Sequence, residues 1–266
     1  MLASVEGMAL RALVTNDDGI ESEGIRQLAL AAVRARLDVI VAAPVTEASG
    51  TSASINSVQQ DGRIVVEPRT LTGLHGVRCF AVAAAPGFIV LVAHRGAFGE
   101  PPDLVLSGVN RGPNTGSSVM HSGTVGATLT AGMCGSRGLA VSINSGKPEH
   151  WSTAAAYAGR VLPMLTRGPE SLVINLNVPD VDEAEVRGLV RAGLARFGAV
   201  QMTVSEVGHG YVRAGLERSQ DEFEAGSDAA MLAAGYATLT PLAGVRERRD
   251  VELPELADLL GEYARS

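Results

Sequence analysis

Only two cysteines, Cys79 and Cys134, occur in 266 residues. That is too few for a disulfide framework or a cysteine-rich metal motif, and both are expected to be small buried thiols. No apolar run reaches the length of a membrane span. The opening MLASVEGMA lacks the charged start and long apolar stretch of a secretory signal. These absences point to a cytoplasmic protein without a membrane partner. Basic residues are also in deficit, 22 Lys and Arg against 29 Asp and Glu, for a formal net charge of −7. With no basic cluster above that background, the chain is not built for a nucleic-acid polymer. A small phosphorylated ligand stays compatible, because a bound cation reverses the field locally.

Several catalytic signatures are missing too. No G-x-S-x-G elbow is present, which argues against an esterase of the usual α/β type. No G-x-G-x-x-G follows the first apolar run, and Lys147 in SGKPE is followed by Pro148, which blocks a phosphate-loop helix. The five histidines, at 75, 94, 121, 150 and 209, lack zinc-ligand spacing. A phospho-accepting receiver domain would need a further aspartate after its third core strand, where this chain has Ser107 and Asn110.

What is present is an alternation of short apolar runs with helical stripes. Residues 10–15 and 37–43 read as strands on either side of a helix at 23–36, whose stripe carries Ile25, Leu28, Leu30, Ala32 and Val33. This βαβ unit implies a parallel sheet with a right-handed crossover. Further strands are expected at 62–67, 77–82, 103–107, 139–144 and 171–177, with helices at 86–97, 124–135 and 151–165. Serine-rich 49–60 reads as a functional loop, and glycine-rich 108–116 reads as a loop. After Pro179 the pattern turns β-rich, with an acidic arm at 219–230, a strand at 236–240 and a final helix from about 254. The expected fold is α/β: a Rossmann-like, mostly parallel sheet flanked by helices over residues 1–178. Residues 179–266 then form a smaller β-rich extension with an oligomerisation arm.

Ligands of open α/β sheets bind beyond the carboxyl ends of the strands. Three loops there deserve comparison: Asn16-Asp17-Asp18-Gly19, the Glu47–Thr51 stretch containing Ser49, and Gly108–Asn114 containing Asn110. Two adjacent aspartates repel one another and can share one cation only if the backbone turns, which Gly19 permits. A hard divalent ion would suit carboxylate, amide and hydroxyl oxygens. The alternative is that the aspartates cap the following helix. Ser122-Gly123-Thr124, ahead of the 124–135 helix, offers N–H groups and hydroxyls to an anion, or serves as a plain cap. His121 adjoins it as a proton donor or a structural residue.

Together, TNDDGI, the serine loop, SGVNRGPNTG and HSGTVGATLTAG resemble the SurE (survival protein E) family of 5′/3′-nucleotidases. The likeness continues through LVINLNVP (172–179) and GSDAAMLAAGYATLTPL (226–242). It implies a divalent-metal phosphomonoesterase acting on nucleoside monophosphates, with one Mg²⁺ or Mn²⁺ per subunit and assembly into homodimers or homotetramers through the C-terminal extension. Carried over by position, it assigns the metal to Asp17, Asp18, Ser49 and Asn110, and the phosphate to Asn114, Ser122, Gly123 and Thr124. Attack by metal-activated water, assisted by Asp17 or Asp18, completes the expectation, with Asn114 and His121 as further catalytic candidates. The chain departs from the family at Ser117 and Ser118 (commonly aspartate there), at His121 (frequently tyrosine), and in DDGIESEGI and AAAPGFIV. The competing expectations are a phosphatase for another small metabolite and a catalytically silent phosphate-binding protein.

Overall fold

The computed structural model describes residues 9–48, 50, 52–54, 57, 59–60, 63–209, 211–218 and 223–245. In chain order the elements are β1 (Arg11–Thr15), α1 (Glu23–Arg34), β2 (Asp38–Pro44), β3 (Gln59–Gln60), β4 (Arg63–Ile64), β5 (Val66–Arg69), β6 (Arg78–Val82) and α2 (Pro86–His94). Then come β7 (Leu104–Arg111), α3 (Gly123–Met133), β8 (Arg137–Ile143), α4 (Trp151–Arg167) and β9 (Val173–Val178). The remainder comprises β10 (Leu189–Arg191), β11 (Val200–Gly208), β12 (Tyr211–Arg218), α5 (Asp228–Ala233) and β13 (Ala237–Leu242).

Among the described residues, nine strands form one sheet in the order β10-β13-β9-β8-β7-β1-β2-β6-β5. The central six, β9 to β6, are all parallel. β5 and β13 flank them antiparallel. A parallel sheet has both faces covered, and the strands alternate accordingly. Ala12, Val14, Leu104, Leu106, Leu139 and Val141 pack into the core under α1 and α4. Leu13 and Val105 face the opposite core, beneath α2 and α3.

Local sequence explains the helix limits. Ser22 caps α1 by accepting from the Ile25 N–H, and a buried stripe of Ile25, Leu28, Ala29 and Ala32 follows. Val33, expected on that stripe, is instead exposed, because the helix buries its Ala29–Ala32 side. Cys79 is buried as expected, whereas Cys134, at the end of α3, is only half-buried.

The largest departure concerns 108–116. β7 does not stop at Ser107 but continues to Arg111, with Asn110 opposite Ser142 of β8. Gly108 and Val109 together oppose Val141, a bulge that re-aims the strand end. Beyond Pro179, β10 and β13 extend the main sheet, while β11 and β12 pair as a separate antiparallel hairpin. Within the expected acidic arm, residues from Asp228 onward form α5, capped by Ser227. The helix expected from 254 lies outside the described residues.

Strand order locates the crevice. From β1 the chain moves to β2 and β6 on one side and to β7 on the other. The reversal lies between β1 and β7, so the crevice opens beyond their carboxyl ends.

Candidate metal and phosphate site

Both aspartates lie at that reversal, immediately after β1. The turn there is built by Asn16, whose Nδ2 donates to the Gly19 carbonyl at 3.0 Å and to Ser22 Oγ at 2.6 Å. Gly19 takes φ +96°, a left-handed conformation that a residue with a Cβ rarely adopts. Since Ser22 is the cap of α1, the aspartates do not serve that role.

Asp17 is buried, 4% exposed. It accepts from Thr124 Oγ1 at 2.5 Å and from the Thr124 N–H at 3.2 Å. The loop after β1 is thereby joined to the start of α3. Its backbone carbonyl also accepts from the Ala48 N–H at 2.7 Å, bringing the loop after β2 into the same place. Asp18 has a side chain only 3% exposed and faces Arg111. Arg111 Nε donates to Asp18 Oδ1 at 2.8 Å and its backbone N–H to Oδ2 at 3.2 Å, while Nη2 reaches Glu47 at 3.1 Å.

Electrostatics follows from burial. Desolvation pushes the Asp17 carboxyl up, the Thr124 hydroxyl pulls it back, and the Asp18 charge raises it further. Asp18 is also raised by burial, against the pull of Arg111. Two neighbouring carboxylates taken out of water need positive charge.

Asn110 lies at the end of β7, beside Arg111. Its Nδ2 donates to the carbonyls of Arg111 (3.2 Å) and Gly112 (2.8 Å), so the amide oxygen is the atom that could face a cation. Ser49, the remaining expected ligand, lies outside the described residues, although Ala48 before it reaches Asp17. Another buried oxygen, Asn16 Oδ1, has no hydrogen-bond partner. Among the described residues no three His, Cys, Asp or Glu side chains converge as a metal cluster. Two carboxylates and an amide oxygen have the hard-oxygen chemistry that would suit a divalent ion such as Mg²⁺ or Mn²⁺.

Ser122 caps α3 by accepting from the Val125 N–H at 3.1 Å, and Gly123 and Thr124 begin the helix. Gly126 lets the serine loop press against this helix. A Cβ there would lie 2.5 Å from backbone atoms of Ser52 and Ala53. Ser52 also donates to the Met120 carbonyl. His121 is exposed at the end of a 3₁₀ turn, Gly116–His121, immediately before Ser122.

Asn114 is held more firmly than its loop setting suggested. Its Nδ2 donates to Ser142 Oγ at 2.8 Å, and its N–H donates to Asn177 Oδ1 at 2.8 Å. Its carbonyl accepts from Nδ2 of both Asn175 (2.7 Å) and Asn177 (2.9 Å). Further along, the buried Asp228 carboxylate accepts from the N–H groups of Gly116, Ala195 and Ala229, at 2.9, 2.9 and 2.8 Å. Ser117 and Ser118, at the departure from the family pattern, donate to the carbonyls of Arg196 and Thr115.

Arg111, Asn175, Asn177 and Asp228 were not singled out from sequence. The spacing of Asn175 and Asn177 was the available signal, since i and i+2 of a strand share a face. Elsewhere, a cavity of about 230 Å³ lined by Arg11, Asp38 and Arg78 opens at the amino ends of β1, β2 and β6. It lies away from the crevice, and its Arg11 is paired with Asp103 at 3.0 Å.

Residues 12–202 match the family model described as survival protein SurE. The chain is 34% identical over 235 residues to a protein named 5'-nucleotidase SurE from Alkalilimnicola ehrlichii, covering 86% of this chain and 88% of that one. It is 35% identical over 239 residues to a protein named 5'/3'-nucleotidase SurE from Serratia proteamaculans, covering 88% and 90% respectively. The crystal structure of the SurE protein from Aquifex aeolicus shares the fold, with a TM-score of 0.74 over 96% of this chain and 100% of that one, at 24% identity. With a family model matched over residues 12–202, relatives of 34–35% identity spanning most of its length and a shared fold, the chain belongs to the survival protein SurE family.

Proposed function

We propose that this protein is a divalent-metal-dependent phosphomonoesterase that releases phosphate from nucleoside monophosphates. The observation that carries this reading is the hydrogen bond from Thr124 to Asp17, which joins a buried carboxylate pair to the start of a helix. A cation site and an anion site thus share one joint. The nucleotidase names of the relatives support the substrate class.

Asp17, Asp18 and Asn110 would hold the cation, with Ser49 beside them in sequence. When bound, a divalent cation there supplies Lewis acidity and lowers the pKa of water. The chain's own groups do the rest. The Gly123 N–H at the start of α3, with the Ser122 hydroxyl, receives the phosphate oxygens, while the Thr124 and Val125 N–H groups stay on Asp17 and Ser122. Asn114 keeps one amide N–H on Ser142 and offers the other to the phosphate. Asp17 or Asp18 takes the proton of the attacking water, and exposed His121 returns one to the leaving group. Residues 179–266 are assigned to joining subunits, as dimers or tetramers.

The test is hydrolysis of p-nitrophenyl phosphate with Mg²⁺ or Mn²⁺, followed by a panel of nucleotides, sugar phosphates and polyphosphate. Asp17→Asn is expected to lower turnover by about 10³-fold or more, with circular dichroism unchanged. Full activity in that variant refutes the ligand role. Preference for sugar phosphates would move the substrate to another class of small metabolite.

A further inference from the structure

Arg111 is the charged residue facing the aspartate pair that no expectation covered. Its guanidinium and backbone N–H cover both oxygens of Asp18. The two groups are unequally exposed: Arg111 is 41% exposed at its side chain, and Asp18 3%. A partly exposed arginine therefore neutralises a nearly inaccessible carboxylate that is also a candidate metal ligand. Glu47 holds the outer edge of the guanidinium, at 3.1 Å from Nη2.

We propose that Arg111 is the exchangeable cation of the site: it occupies Asp18 until a divalent ion displaces it, and then engages the substrate phosphate. This rests on the metal-site reading above. A guanidinium and a divalent ion at contact distance on one carboxylate oxygen repel each other, and the low exposure of Asp18 limits the water that could screen them. For the ion to take Asp18 Oδ1, the Nε donor must leave. The Arg111 backbone N–H can stay on Oδ2 and keep the carboxylate oriented, as outer hydrogen bonds do for metal ligands.

The displaced guanidinium does not travel far. Nε starts 2.8 Å from Oδ1. A phosphate oxygen held by the same ion would lie no more than about two metal–oxygen bonds, each about 2.1 Å, from that carboxylate oxygen. The long, partly exposed side chain covers that span by rotation. A planar fork of donors suits two phosphate oxygens, whereas an ammonium group presents a point charge.

This exchange makes an unusual signature, in which one substitution moves two affinities in opposite directions. Arg111→Met removes the competitor while keeping much of the stem volume, at a position exposed enough to spare the core. Calorimetric titration of the metal-stripped protein with Mn²⁺ should show tighter binding in Arg111→Met, by about tenfold, or about 1.4 kcal/mol. Titration of the Mn²⁺-loaded proteins with inorganic phosphate should show weaker binding in the variant, by a similar factor. Arg111→Lys should recover phosphate binding only in part. Equal or weaker Mn²⁺ affinity in Arg111→Met overturns the proposal, and so does undiminished phosphate affinity. If neither wild type nor variant binds Mn²⁺, the metal-site reading fails first and takes this proposal with it.

Discussion

Asp17 and Asp18 cost stability where they stand, a cost that the proposed cation would offset. Burial makes both carboxyls hold protons more tightly in the folded chain than in the unfolded one. Their contribution is therefore complete below the unfolded carboxylate pKa and declines as pH rises through the raised folded values. Asp103 behaves in the opposite sense. Burial raises it, but the hydrogen bonds from Arg11 more than reverse that, so its contribution is present above the unfolded value and lost as pH falls through the lowered one. Metal binding requires deprotonated ligands, so it grows with pH as the bare pair becomes more unfavourable. Thermal melts should show an Mn²⁺-induced rise in Tm that is larger near about pH 8 than near about pH 5. In Asp17→Asn that pH-dependent increment should largely vanish. An increment independent of pH would contradict ligation by these carboxylates. The pair itself was legible from sequence, because two like charges after an apolar run require compensation. Arg111 was not, since its partner lies 93 positions away in the chain.

At the scale of elements, local signals carried most strands and helices, and the exceptions share a cause. β7 was cut short at Ser107 because Gly108 and Gly112 read as loop, yet pairing with β8 carries the strand through the bulge. Pairing between distant segments overrides local propensity. Asn175 and Asn177 were read only as part of the strand at 171–177, yet both are wholly buried and the Nδ2 of each donates to the Asn114 carbonyl. The small-residue helix α3 was expected, but the reason for its glycine was not. Gly126 is where the serine loop touches the helix. Gly126→Ala should move that loop outward and weaken Mn²⁺ binding by about three- to tenfold, because Ser49 belongs to it. The helix itself gains propensity from alanine, by up to about 1 kcal/mol, so global stability should change little. Calorimetry and a urea melt on the same preparation separate the two, and unchanged Mn²⁺ affinity would detach the loop from the site.

Across the whole molecule, the last third of the chain reaches back to the chemistry. Asp228, on α5, accepts from Gly116 beside the site and from Ala195. Removing it strands buried N–H groups, each costing about 1–3 kcal/mol. Asp228→Ala should accordingly lose about 3 kcal/mol or more in urea unfolding and reduce turnover by loosening the segment at Gly116. Asp228→Asn, which keeps one acceptor oxygen, should recover part of both. Loss of stability without any effect on turnover would sever the link from α5 to the Asn114 loop. Sequence reading set residues 179–266 apart as an extension. β13 pairs with β9 and carries β10 outward, an antiparallel closure that no local pattern announces.

One consequence of the Asp17–Thr124 hydrogen bond concerns thermodynamics rather than architecture. A carboxylate drawn toward a cation alters the donor it shares with the helix start, and an anion at the helix start alters that carboxylate. On the proposed function the two ligands would therefore be linked, and linkage is reciprocal. Whatever factor Mn²⁺ adds to the affinity for phosphate, phosphate must add to the affinity for Mn²⁺. Thr124→Val should bring both factors toward one together.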